Sequence, residues 1–208
     1  MPRYFSIRPG LTLKGRQFKG VRGWAGKPTH PPLTDIPVAA YVFAAIFDLV
    51  SFVLAHGDRA STSTVGHESF VAATYVIVTG GIVSLATALT GFWDWWKGID
   101  RDSAGWLGKA KHTQVWRTIN WHATLMLTTT GLVIVDVIVR LVQYDGRVTS
   151  IGVLILSLVA ALIVATGATY GGSLVYDYQF NVESLEGSTV WDETEKDQFP
   201  AEHQGSSW

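Results

Sequence analysis

The chain has no cysteine, which excludes disulfides, thiolate metal sites, cysteine-ligated iron–sulfur clusters and a cysteine nucleophile. Charge is scarce, at 16% of 208 residues, and the net charge of −1 conceals an uneven distribution of the 16 Lys and Arg. No Walker loop, GxSxG, HExxH or dinucleotide fingerprint occurs, so hydrolase, kinase and nicotinamide chemistry find no support and a non-catalytic role is expected. The first 35 residues hold no apolar run of signal-peptide length, and the chain is expected to insert through its own spans. The two halves show no internal repeat, which argues against a transporter.

Long apolar runs are what the sequence has in plenty. Four of them, Ile36 to Ala55, Phe70 to Trp93, Thr118 to Leu141 and Ile151 to Gly172, are each long enough to cross ~30 Å of hydrocarbon, which takes roughly 20 helical residues. Four such runs in so short a chain leave too little polar sequence to cover a water-soluble core. The expected fold is all-α, an integral membrane four-helix up-and-down bundle. It divides into a basic arm (1–33), a transmembrane domain (34–176) and an acidic tail (177–208).

Basic residues set the orientation, because Lys and Arg in short loops stay in the cytoplasm. Thirteen fall in the arm, the loop after the second run and the tail, whereas Arg59, Arg140 and Arg147 fall on the other side. Both termini are therefore expected in the cytoplasm, in a multi-pass protein of the bacterial cytoplasmic (inner) membrane. Trp93, Trp95, Trp96, Trp106, Trp116 and Trp121 gather in or beside the central loop, where an interfacial aromatic belt belongs. The arm before His30 has no acid, while Asp177 to Trp208 carries eight acids and one lysine. Lipid anchoring and solvation account for such tails. Their aromatics, Trp24, Trp191, Phe199 and Trp208 among them, also suit contact with other membrane-protein subunits. The short arm is explained by topology, and no nucleic-acid partner is expected.

Small residues at four-residue spacing, Gly80, Ser84 and Ala88 on the second run and Ala161, Ala165 and Thr169 with Gly167 and Gly171 on the fourth, predict close helix packing. Asp48 and Asp136 are ionisable groups inside runs, costly enough in lipid to be functional candidates. Arg140, one turn beyond Asp136, is its expected partner. Asp48 has no partner visible in the sequence, and both a packed structural role and a proton or ligand role stay open for it.

Four segments converge on one end of such a bundle: GKPTHPPLTDIP before the first run, TGFWDWW after the second, RTINWHA opening the third and GGSLVY closing the fourth. In this order they resemble the bacterial membrane-protein family of domain of unknown function 2231, over about 150 residues from Gly26 to Val182. The family pattern maps onto His30 with Pro31, Asp48, Thr90 with Gly91 and Asp94, His122, and Gly171, Gly172, Leu174, Val175 and Tyr176. Two positions depart from it. Lys27 stands where the family commonly has a first histidine, and Met126 where an asparagine is frequent. The resemblance implies a fold and little chemistry.

The chemistry that the residues themselves suggest is a b-type haem, since bis-histidine ligation needs imidazoles from two helices at one membrane level. His30 and His122 are the candidate ligands, with Asp35 or Asp94 to orient a ring. His30 is expected to precede its helix. A metal site of His56, His67 and Asp58 is weakly signalled. The leading expectation is an accessory, non-catalytic subunit of a larger membrane complex, energy-transducing in kind (respiratory or photosynthetic), with the small haem protein as the alternative.

Overall fold

The structure is a computed structural model, described for residues 20–21, 28–57, 64–98, 113–142, 147–180 and 182. The described residues form four helices and no strand: α1 (His30–His56), α2 (Thr64–Gly98), α3 (Gln114–Val142) and α4 (Ile151–Tyr176). All four are long and apolar enough to cross a membrane. The arm before Gly20, the central loop 99–112 and the tail beyond 182 lie outside the described residues.

Each helix outruns the apolar stretch that announced it. At ~1.5 Å per residue the 35 residues of α2 span about 52 Å, well beyond ~30 Å of hydrocarbon. His30 does not precede α1 but opens it. The prolines that follow lie in the first turn, where a missing N–H costs nothing because no carbonyl awaits it. Pro37 lies deeper and does withhold a hydrogen bond from the Leu33 carbonyl, four residues back. The Thr87 hydroxyl of α2 donates to that carbonyl instead, at 3.4 Å. At α4 the Ser150 hydroxyl accepts from Val153 N at 3.4 Å, a serine N-cap that fixes where the helix begins.

Helix α1 packs against α2, α2 against α3, α3 against α4 and α4 back against α1, so α1 and α3 stand on a diagonal. The start of α1 meets the end of α2, and the early turns of α3 meet the end of α4, as an up-and-down bundle requires. Two ends can be named by their contents. His30 and His122 mark the histidine end, and Arg140 the arginine end. From His30 to Asp48 along α1 is about 27 Å.

Large apolar side chains point outward and small or polar ones inward. Phe43, Leu49, Ile82, Leu89, Leu127 and Leu162 are exposed, while Ala40, Ala44, Ala73, Ser84, Ser157 and Ala160 are buried. Lipid explains the pattern, because hydrocarbon removes the penalty on exposed Leu and Phe, and association then rests on close backbone packing. A Cβ on Gly80 would lie 2.6 Å from that of Ala40, so α1 and α2 touch through this glycine. The Tyr41 hydroxyl meets Ser84 just beyond it. The row on α4 differs from the expected one. Ala165 and Thr169 are exposed, and the inward stripe is Ser157, Ala160, Val164 and Gly167. Both rows have helical spacing, and only the neighbours decide which one faces in. Between the two ends an apolar layer of Ala44, Ile77, Val133, Ala160 and Val164 fills the bundle.

Candidate functional site

The four segments at the histidine end do come together. The rings of His30 on α1 and His122 on α3 lie with centroids 6.3 Å apart and planes at 86°. Each ring leans on the neighbouring helix through a glycine. A Cβ on Gly91 of α2 would be 2.6 Å from His30 Cε1, and one on Gly171 of α4 would be 3.0 Å from His122 Cε1. The glycines are thus sockets for imidazoles: a side chain at Gly91 would collide with the ring, and one at Gly171 would press tightly against it. Gly172 and Tyr176, from the same motif, point elsewhere; Tyr176 is 84% exposed.

The hydrogen bonds fix the tautomers. His30 Nδ1 lies 3.1 Å from the Thr87 carbonyl and 3.3 Å from the Thr90 hydroxyl, and His122 Nδ1 lies 2.8 Å from the Gly167 carbonyl. A carbonyl can only accept, so Nδ1 carries the hydrogen in both rings, and in neutral imidazoles the lone pair sits on Nε2. Neither Nε2 has a hydrogen-bond partner among the described residues. A metal or haem iron, if held by this pair, would be bound through these two nitrogens.

The orienting groups are backbone carbonyls, not the carboxylates expected. Asp35 is exposed on α1. Asp94 is buried but accepts from the backbone N–H of Val21 at 3.0 Å, and Thr29 N in turn donates to Val21 O at 3.0 Å. Asp94 therefore holds the end of the arm against α2. Sequence reasoning missed Thr87 and Gly167 because a main-chain carbonyl leaves no mark in the letters.

A second polar cluster closes the arginine end. Arg140 donates through Nε to Asp136 Oδ1 at 3.0 Å and through Nη2 to Asp136 Oδ2 at 3.2 Å, as the one-turn spacing predicts. The same Nη2 is bonded to Asp48 Oδ2. Asp48, without a visible partner in the sequence, thus has one 92 residues away. Its other oxygen accepts from the Thr149 hydroxyl at 2.9 Å, Thr149 N donates to Ser51 Oγ at 3.0 Å, and Arg140 Nη1 donates to Thr74 Oγ1 at 3.2 Å. Asp48, Asp136 and Thr149 are 0% exposed and Arg140 is 2%. Three helices and the segment leading into α4 are pinned at this point.

The chain matches the family described as "Predicted membrane protein (DUF2231)" over residues 26–184. It belongs to that family. No curated protein and no solved structure matches it. The matched region runs from just before α1 to just after α4, so both polar clusters fall within it. Within it but outside the clusters, His56 Nδ1 binds the Phe52 carbonyl at 2.9 Å and His67 Nδ1 the Arg147 carbonyl at 2.8 Å. Asp58, the third member of that weaker candidate, lies outside the described residues. No group of three or more metal-binding side chains occurs among the described residues.

Proposed function

We propose that this family member is a small redox protein of the membrane, holding a b-type haem between His30 and His122. The observation that carries the reading is the paired geometry: two imidazoles on diagonal helices, 6.3 Å apart, each with Nδ1 committed to a carbonyl and each seated on a glycine. Iron ligation uses this donor set, with the far N–H tied down so that Nε2 is aimed and more basic. Bound haem would supply one-electron chemistry. The chain's part is to bind through Nε2, to keep ring orientation through Thr87 and Gly167, and to keep water out with the apolar layer on the far side. The reading is tested on protein purified from haem-replete cells. A reduced-minus-oxidised spectrum should show b-type bands, and both His30→Ala and His122→Ala should abolish them. A colourless wild type overturns it.

The second reading is an accessory subunit of a larger, energy-transducing membrane complex, with both termini in the cytoplasm of a bacterial cell. It draws on the aromatic surface of the histidine end, where Phe92, Trp93, Trp96 and Trp121 are exposed. Buried Nε1 atoms of Trp95 and Trp116 there have no partner among the described residues. Aromatic groups of this kind anchor interfaces as well as membranes. The arm and the tail would dock on the other subunits. Gentle purification from native membranes, repeated with residues 186–208 deleted, separates the readings. Subunits that co-purify and are lost on deletion support it, and a lone monomer rejects it.

A further inference from the structure

We propose that the outer face of α3 at the histidine end binds one anionic glycerophospholipid, with Arg117 on its phosphate and Asn120 and Thr124 along its glycerol esters. The place is a pocket of about 220 Å³ lined by Trp116, Arg117, Asn120, Trp121 and Thr124. That spacing, two neighbours repeated one turn on and a fifth residue a turn beyond, falls on one side of a helix. The side is the one turned away from the bundle: Arg117, Trp121 and Thr124 are exposed, whereas Thr118, Ile119, Thr129 and Val133 are buried. Lipid adjoins it.

The lining selects the ligand. One of the five residues is a cation and none is an acid, so the pocket favours an anion. A guanidinium is a planar fork that meets two phosphate oxygens at once. Arg117 stands directly before the third apolar run, at the level of the headgroups, and the indoles of Trp116 and Trp121 suit that level too. Depth assigns the other two polar groups. At ~1.5 Å per residue Asn120 lies about 4–5 Å further in than Arg117 and Thr124 about 10 Å, and one leaflet's polar layer is about 5–8 Å thick. Ester carbonyls only accept. Asn120 Nδ2 gives one hydrogen to the Trp116 carbonyl at 2.6 Å and keeps a second, and the Thr124 hydroxyl is a donor as well. Further along the same side come Leu127, Gly131, Ile134 and Ile138, all exposed. A Cβ on Gly131 would meet nothing within 4 Å, which leaves room there for an acyl chain. The pocket is smaller than the ~300–1,000 Å³ that drug-sized ligands occupy, and fits a headgroup whose tails lie outside it. This inference does not depend on the histidine pair.

Native mass spectrometry of the full chain tests it, with delipidated protein titrated with palmitoyl-oleoyl phosphatidylglycerol or the matching phosphatidylcholine. The wild type should bind one phosphatidylglycerol about fivefold more tightly, or better, the scale set by one arginine at an anionic membrane surface. Arg117→Gln should abolish that preference and Arg117→Lys should keep part of it. Lys97→Gln, which removes another exposed cation from the same end, should leave it unchanged. Thr124→Val should weaken both lipids alike, because both carry the esters. Glycerol 3-phosphate, the anion without the tails, should not displace the lipid. The proposal is overturned if the wild type shows no preference, if the preference survives Arg117→Gln, or if Thr124→Val changes neither affinity. An equal loss in Lys97→Gln would mean a diffuse field instead of a site, and displacement by glycerol 3-phosphate would make the ligand a free phosphate; either result also overturns it. The wild-type comparison needs no variant, so a variant that fails to fold does not shelter the idea.

Discussion

A set of glycine-to-alanine substitutions asks whether the helices of the histidine end are spaced for two imidazoles. At Gly91 the new Cβ would lie 2.6 Å from His30 Cε1 and 3.0 Å from Nδ1. Ordinary carbon contacts are about 3.5–4.0 Å, so the ring must move by about 1 Å. Such a move strains the 3.1 Å bond to the Thr87 carbonyl. Overpacking costs about 1–3 kcal/mol and a lost neutral hydrogen bond about 1 kcal/mol; alanine returns about 0.5–1 kcal/mol of helix preference. The net loss for Gly91→Ala is therefore about 1–3 kcal/mol. At Gly171 the closest approach is 3.0 Å, a shift of about half an ångström is enough, and a loss of about 1 kcal/mol is expected. Gly131 and Gly152 have nothing within 4 Å of the added carbon, and alanine there should be neutral or gain up to about 1 kcal/mol. Thermal unfolding in one detergent, followed by tryptophan fluorescence, ranks the four variants. If haem is bound, its content should fall in the same order. Gly91→Ala behaving like Gly131→Ala would refute the socket argument, and so would Gly171→Ala being the worse of the pair.

At the other end, Arg140→Gln should cost about 3–5 kcal/mol at neutral pH, the usual penalty for a buried charge stripped of its partner. Stability should return when Asp48→Asn and Asp136→Asn are added; a variant equally unstable with them would disprove the electrostatic account. For orientation, single cysteines at Glu68, Asp145, Gly105 and Trp208 use the natural absence of cysteine. Membrane-impermeant reagents applied to intact cells should label the first two positions only, and labelling at 105 would reverse the topology.

Sequence alone was enough for the four helices, because ~20 apolar residues are the length of a crossing and backbone polar groups in lipid leave helices as the simple solution. It was enough for the Asp136–Arg140 pair too, since one helical turn brings those residues together whatever surrounds them. The approach of His30 to His122 was foreseeable from up-and-down connectivity, which puts the start of α1 and the early turns of α3 at one end. Three matters were decided by tertiary structure. The partner of Asp48 comes from 92 residues away, and no local period encodes the facing of diagonal helices. The inward stripe of α4 was chosen by its neighbours, because small residues lie on more than one of its faces and lipid tolerates any of them outside. The groups that orient the histidines are the carbonyls of Thr87 and Gly167. Every residue carries a carbonyl, so only packing can select the two that meet a ring.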